Sequence, residues 1–286
     1  TKTVSLSLEI AEPEIKMADA NNLGINEVIG VGISSYKGSP VNRVGNITLA
    51  VKKLNGVIIK PGEVFSTNKY AGPYTVETGY LSEKIIVGDR IKNGIGGGMC
   101  QIGTTLFRMA MNSAMPIKQR ANHSLAVNYY SDPVNGNPGT DATLYDPYLD
   151  LKFENNTGNH MLLQTEIIPS RSELRFTLWG KADGRKGSYT LPVVSKWYAP
   201  GNPVVRKTIS LPAGVKDCQH AYTGAKASFT YTRITSTSQK IDRVFDSYYR
   251  PLPQICMLGV SKEEFCGENS GNAECKGYTT SSSTTE

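Results

Sequence analysis

The sequence predicts an α+β protein, with a mixed first part in which a few helices pack on β-sheet and a mostly β module toward the C-terminus. Three observations carry this expectation. Residues 46–56 and 100–113 space their apolar side chains as helices do. Segments between residues 124 and 180 read as strands separated by clusters of Gly, Pro, Asn and Asp. From about residue 184 to 260 the pattern is almost wholly strand and turn, with no helical period.

Residues 1–34 open with the alternating TKTVSLSLEI, a strand pattern, and continue as AEPEIKMADANNLGINEVIG, which reads as a linker. They are assigned to the end of an upstream domain plus its linker. GNITLAVKKLNG then changes to a helix, with Asn46 as candidate N-cap, Ile47, Ala50, Val51 and Leu54 on one face, and Gly56 as the stop. VIIKPGEVFS reads as strand, turn and strand about Pro61 and Gly62. A second helix starts near residue 100. Ile102, Leu106, Met109, Ala110 and Ser113 form its core-facing stripe, and Thr104, Thr105, Arg108 and Asn112 fall opposite. SLAVNYYSDP, ATLYDPYLDLKFEN, HMLLQTEIIP and ELRFTLWG follow as strand-like segments. The mixed domain therefore spans 35–183 and the β module 184–260. Residues 261–286 are a disulfide loop and a Ser/Thr-rich tail, KGYTTSSSTTE, whose composition predicts disorder.

Composition excludes several classes. The chain has 286 residues, 39% hydrophobic and 20% charged, which is ordinary for a globular protein. Its net charge of +6 is scattered, without a basic block or the aromatic interleaving of a nucleic-acid groove. That leaves a mild preference for anionic surroundings such as a bacterial cell wall. No run approaches the length of a membrane-spanning helix, and neither a signal peptide nor an initiating Met is present, so the chain reads as part of a longer protein.

The five cysteines divide unevenly. Cys218, Cys256, Cys266 and Cys275 cluster near the C-terminus without a C-x-x-C pair and with only His220 nearby, which favours two disulfides over a zinc site and an oxidising, extracytoplasmic location. The favoured pairing is Cys218 with Cys256, joining two strands, and Cys266 with Cys275, closing CGENSGNAEC. Cys100 is left over, either as a small buried hydrophobe or as a reactive thiol.

Its setting, GGGMCQIGTT, bears on that choice. Unpaired N–H groups and partial positive charge at a helix N-terminus favour thiolate over thiol. Glycines before a nucleophile let backbone N–H groups approach a substrate and hold a developing oxyanion. A tight turn with Cys100 packed inertly is the competing explanation. Of the three histidines, His123 follows in a loop that can return to the helix start as a base, and Asp141 can orient it. Zinc held by Cys100, His123 and Asp141 suits the ligand types, but the spacing matches no tight metal motif.

PVNRVGNITLAVKKLNGVIIKPGEVFSTNKYAGPYTVETGYLSEKIIVGDR, GIGGGMCQIGTTLFRMAMNSAMPIKQRANHS and PGTDATLYDPYLDLKFENNTGNHMLLQ together resemble the VanW family over about residues 34–166. The closing FDSYYRPLPQICMLGV resembles the C-terminal β segment of long, membrane-anchored members. The resemblance implies peptidoglycan L,D-transpeptidase chemistry, in which a cysteine attacks a tetrapeptide stem and makes a 3-3 cross-link. The motif cysteine falls on Cys100 and the motif histidine on His123. Met99 and Ile102 stand where Val or Ile and Val are commoner, and neither difference touches the chemistry. On this reading Asp141 is the third catalytic member, and backbone at Gly97, Gly98, Met99 and Gln101 holds the oxyanion. Arg120 is the first candidate for gripping stem carboxylates, and Arg43, Arg108, Ser124 and Tyr129 are further substrate-binding candidates. No cofactor or metal is implied. The partners are peptidoglycan stem peptides rather than nucleic acid, with membrane attachment only through an anchor outside this sequence, at the cell envelope. The alternative is a non-catalytic peptidoglycan-binding scaffold linked to glycopeptide resistance, with Cys100 buried and the glycines serving packing.

Overall fold

A strand with glycine at alternate positions can lie directly against a helix, and EVIGVGISS does so. The computed structural model describes residues 23–87, 90–268 and 272–275. The strand expected at 1–10 and the tail from 276 lie outside the described residues. In chain order the first elements are β1 (Glu27–Ser35), α1 (Val41–Leu54), β2 (Val57–Ile59), β3 (Val64–Ser66), α2 (Thr67–Ala71), β4 (Ser82–Val87) and β5 (Arg90–Ile95). They are followed by α3 (Met99–Asn112), β6 (Ile117–Gln119), β7 (Lys152–Glu154), β8 (Met161–Ile168) and β9 (Glu173–Gly180). The C-terminal region adds β10 (Lys186–Tyr189), β11 (Val193–Tyr198), β12 (Val204–Thr208), β13 (Lys216–Gln219), β14 (Gly224–Ile234), β15 (Lys240–Tyr249) and β16 (Ile255–Gly259), then the short α4 (Lys262–Glu268). The α+β class stands.

The helix α3 lies between two sheets. On one side is the antiparallel sheet β1-β9-β8-β2. On the other is a sheet centred on β14, paired with β10, β11 and β15. Close approach requires missing side chains. A Cβ on Gly32 would collide with the Thr105 carbonyl and lie 2.6 Å from Met109 N. A Cβ on Gly187 would meet the Met111 carbonyl and lie 2.6 Å from Ala114 N. Phe107 of α3 meets Phe229 and Phe245 of the second sheet at ring centroids of 6.3 and 5.3 Å, and these residues join the core that contains Ile47, Leu106 and Phe176. Burying such a side chain fully contributes about 1.5–3 kcal/mol. The β module's inner face thus shares the core of the first part.

Several sequence expectations change for this reason. Thr104, Thr105 and Arg108, expected on a solvent face, are buried, Thr105 against Ser34 of β1 and Thr104 and Arg108 against the loops that carry Tyr130, Ser131, Thr140 and Ala142, and of that group only Asn112 is exposed. Residues 27–34, read as linker, belong to β1, whose glycines hid its sheet character. Asn46 does not cap α1, since the helix begins at Val41 after Pro40. Its apolar face is as read, with Ile47, Ala50, Val51 and Leu54 buried. β2 and β3 flank the Pro61–Gly62 turn but pair with β8 and β7 instead of each other. SLAVNYYSDP forms loop and one 3-10 turn, Asn128–Tyr130, and most of ATLYDPYLDLKFEN is irregular until β7. Disulfides join Cys218 to Cys256 across β13 and β16, and Cys266 to Cys275, while Cys100 is a free thiol. Among the described residues no helix is long and apolar enough to cross a membrane.

Two glycine substitutions should separate contact from propensity. Gly32→Ala forces backbone apart and is expected to destabilise by about 1–3 kcal/mol. Gly45→Ala, in α1 with only Leu81 Cδ1 at 3.4 Å, should stabilise by about 0.5–1 kcal/mol. Denaturant titration followed by circular dichroism measures both, and equal effects would contradict the packing described for α3.

Candidate active site

The turn before α3 is seated by packing. The β4–β5 hairpin leads into Gly96 and Gly98, which take φ of 82° and 109°, values that strain any residue with a side chain. A Cβ on Gly97 would lie 2.8 Å from Glu83 Cβ and 2.9 Å from the Lys84 carbonyl, and one on Gly98 would lie 3.0 Å from Arg43 Cγ. Buried Asn46 staples the turn, accepting from Leu81 N at 2.7 Å and donating to the Leu81 and Gly97 carbonyls at 3.0 Å each. The glycines therefore fit the turn between α1 and the hairpin. Among the expected oxyanion donors, Met99 N–H is spent on the Gly96 carbonyl and Gln101 N–H on that of Gly98. The Gln101 side chain turns away to the Ser35 carbonyl. Cys100 occupies the second helical position, where an N–H has no intrahelical acceptor.

The Cys100 side chain is half-buried, its sulfur 3.5 Å from Leu144 N and 3.6 Å from Leu144 O. His123 arrives from the loop after β6 and is 3% exposed. Its Nδ1 lies 2.5 Å from Asp141 Oδ2, and its backbone N–H donates to the same oxygen at 2.8 Å. That leaves Nε2, buried and without an aligned hydrogen-bond partner, as the ring atom available to the thiol.

Electrostatics couples the three groups. Burial opposes ionisation of Cys100, but the charge and hydrogen bonding of His123, with the Leu144 backbone, outweigh it and hold the thiol below its ordinary 9.0. Burial likewise opposes a charged His123, yet the Cys100 thiolate and Asp141 lift its pKa from 6.5 to about 9. Asp141 is pushed up by burial and pulled further down by His123, Arg120 and Tyr249, ending below the usual carboxylate range. Each group thus favours the charged form of the other, shifting the pair toward thiolate and imidazolium.

The arginines separate by role. Arg120, whose side chain is 2% exposed, bonds Asp141 Oδ1 at 3.1 Å, the Asp141 and Gly139 carbonyls at 2.7 Å, and Ser247 Oγ at 2.9 Å. Arg108 is 5% exposed and clamps the Tyr130 and Ser131 carbonyls at 2.9 Å. Neither is free to grip a substrate carboxylate, which corrects the expectation for both. Arg43 is half-buried at the edge of the site, 3.3 Å from the Tyr130 hydroxyl and 5.2 Å from the centre of the exposed Tyr129 ring. Tyr130 stacks on His123 with centroids 4.3 Å apart. Ser124, next to His123, is exposed. Sequence reasoning missed Tyr130, Leu144, Ser247 and Tyr249. Ser247 and Tyr249 share the inward period of β15 with Phe245, and a serine in that apolar row was the available signal.

A half-exposed cysteine at a helix start thus stands with a buried histidine and carboxylate on an α+β scaffold. The family model described as VanW like protein matches residues 42–179, which supports assigning that segment to the VanW family. It is similar to the Uncharacterized protein YoaR of Bacillus subtilis (strain 168), with 32% identity over 138 residues, 48% of this chain and 44% of that protein. It is also similar to the Vancomycin B-type resistance protein VanW of Enterococcus faecalis (strain ATCC 700802 / V583), with 35% identity over 117 residues, 41% of this chain and 42% of that protein. The chain spans less than half the length of either relative.

Alkylation reads the ion pair directly. At pH 7 an ordinary thiol of pKa near 8.5 is only about 3% thiolate, so Cys100 should react with iodoacetamide roughly tenfold or more faster than a cysteine peptide. The imidazolium is lost as pH rises through about 9, so a second inflection is expected there. His123→Ala should remove that inflection and slow the reaction at pH 7. A Cys100 that reacts no faster than a free peptide, or a profile that His123→Ala leaves alone, would contradict the pairing.

Proposed function

We propose that this chain is a peptidoglycan L,D-transpeptidase-like cysteine acyltransferase of the cell envelope. The observation that supports it best is the Cys100, His123 and Asp141 arrangement at the start of α3, in which Cys100 and His123 each favour the other's charged form. The vancomycin-resistance name of the Enterococcus relative and the two disulfides fit work on the wall in an oxidising compartment.

In the proposed reaction the Cys100 thiolate attacks the carbonyl of the third residue of a tetrapeptide stem. The negative charge passes to that oxygen, facing the Cys100 N–H at the helix start. On collapse the C–N bond breaks, His123 gives its proton to the departing D-Ala amine, and a thioester remains. An amine from the third residue of a second stem then attacks the thioester, passes a proton to the neutral His123 and restores the thiolate. The product is a 3-3 cross-link. Asp141 holds one tautomer and one orientation of His123 throughout. In this reading Arg43, beside Tyr129 and Tyr130, meets a stem carboxylate.

One observation favours the non-catalytic scaffold reading: Gly97 and Gly98 are accounted for by packing, and the Met99 and Gln101 N–H groups are spent. Incubation with purified tetrapeptide muropeptides and mass analysis separates the two. Dimers with release of D-Ala are expected, abolished in Cys100→Ala without loss of the cooperative unfolding transition. Binding without D-Ala release would establish the scaffold instead. Arg43→Gln should raise KM roughly tenfold with a smaller effect on kcat, the magnitude of one lost charged contact.

A further inference from the structure

The segment that matches the VanW family ends at residue 179, yet the carboxylate behind His123 is completed by a residue well beyond it. An ionised carboxylate offers about four lone-pair directions. At Asp141 all are used. Oδ2 accepts the backbone N–H and Nδ1 of His123 at 2.8 and 2.5 Å. Oδ1 accepts Arg120 Nη2 at 3.1 Å and the hydroxyl of Tyr249, on β15, at 2.5 Å. Tyr249 is 1% exposed and Asp141 2%, so this contact is withdrawn from bulk solvent.

The strand holds the site in two ways. Its inward side chains at Ser247 and Tyr249 reach the charged groups, with Ser247 Oγ accepting from Arg120 Nη1 at 2.9 Å. Its backbone grips the loop on both sides of His123. The Asn122 side chain donates to the Tyr248 carbonyl and Arg250 N–H donates to the Ser124 carbonyl, each at 2.8 Å. The end of β15 thus fixes the histidine loop and the carboxylate at once.

We propose that Tyr249, supported by Ser247, is a positioning residue of the thiol site, so that the C-terminal sheet is part of its machinery. This rests on the reading of Cys100 and His123 as the reactive pair. By filling Oδ1, Tyr249 leaves Oδ2 as the oxygen that meets His123 and keeps the carboxylate from rotating. Burial and the adjacent Asp141 charge also keep its phenol protonated, so it remains a donor at any working pH. Tyr231 on β14 provides the contrast. It is equally buried, but its hydroxyl bonds the Met115 carbonyl, away from the charged groups.

The test is the pH profile of Cys100 alkylation in the full chain for wild type, Tyr249→Phe, Ser247→Ala and Tyr231→Phe. With one donor fewer, Asp141 presents more charge to His123. The alkaline inflection should then move upward by several tenths of a unit or more in Tyr249→Phe. Tyr231→Phe should lower the unfolding midpoint and leave the inflection in place. A Tyr249→Phe profile on the wild-type curve overturns the proposal, as does an equal displacement by Tyr231→Phe. Should Tyr249→Phe fail to fold, Ser247→Ala, which removes the Arg120 partner, decides by the same inflection: displaced supports the proposal, unmoved overturns it. The two readings fail separately. A wild-type protein that shows the alkylation profile but releases no D-Ala from muropeptides counts against transpeptidation, whereas the Tyr249 comparison still stands or falls on the inflection.

Discussion

The buried Asp141 carboxylate is the interaction on which the rest of this structure depends. Arg120 and the imidazolium of His123 are both withdrawn from water beside it, and the Cys100 thiol, its pKa lowered by His123, completes the set. Two buried cations face the carboxylate, and ionisation of the thiol adds a second anion. Removing one partner of such a set leaves an uncompensated buried charge and costs about 3–5 kcal/mol, so the four groups specify one another's positions. Arg120 also lies over the Phe107 and Phe245 rings, at 5.3 and 5.8 Å, which ties the charged cluster to the apolar contact between α3 and the second sheet. The same residues that hold the two parts of the chain together therefore hold the histidine.

The loops between residues 120 and 145 carry His123 and Asp141 but contain no strand. Their backbone groups still need partners once buried. Polar side chains of α3 and β6's exit provide them. Thr104 Oγ1 accepts from Ala142 N at 3.1 Å and donates to Ala142 O at 3.3 Å, Arg108 takes the Tyr130 and Ser131 carbonyls, and Arg120 takes those of Gly139 and Asp141. This explains why a helix buried on every side has a polar face. The face exists to satisfy irregular backbone, and irregular backbone is what lets a histidine and an aspartate from distant positions meet on one side of the helix.

That arrangement also explains what the sequence could and could not disclose. Periodicity marked the buried face of α1, the stripe of α3 and the strands at 161–180, because each pattern repeats over short distances. Cys100, His123 and Asp141 stood out through residue chemistry, a thiol at a helix mouth and one of only three histidines. Thr104 and Arg108 were misread because a charged or hydroxyl side chain opposite an apolar stripe looks solvated, and Arg120 was read as a grip for a stem carboxylate because its distant partners Gly139, Asp141 and Ser247 are invisible in the sequence. Asn46 was misread for the same reason, as its amide serves a turn some fifty residues away. The three glycines invited a substrate-facing explanation, whereas the atoms next to them belong to α1 and the hairpin.

The environment of the thiol is likewise shared between distant segments. Cys100 packs against a cluster in which Leu125, Val127 and Tyr130 from the histidine loop meet Leu252 and Ile255 from the C-terminal region. Apolar walls weaken solvation of the separate charges and strengthen their attraction, so the poise of the Cys100–His123 pair depends on how closely those walls approach. Leu252 forms the isolated bridge with Tyr222, and Ile255 begins β16, the strand tied through Cys256 to Cys218. A disulfide far from the thiol in sequence thus braces part of the surface that controls its dielectric surroundings. On the proposed chemistry, the segment shared with the relatives carries the reacting groups, and the sheet that follows sets the field in which they ionise.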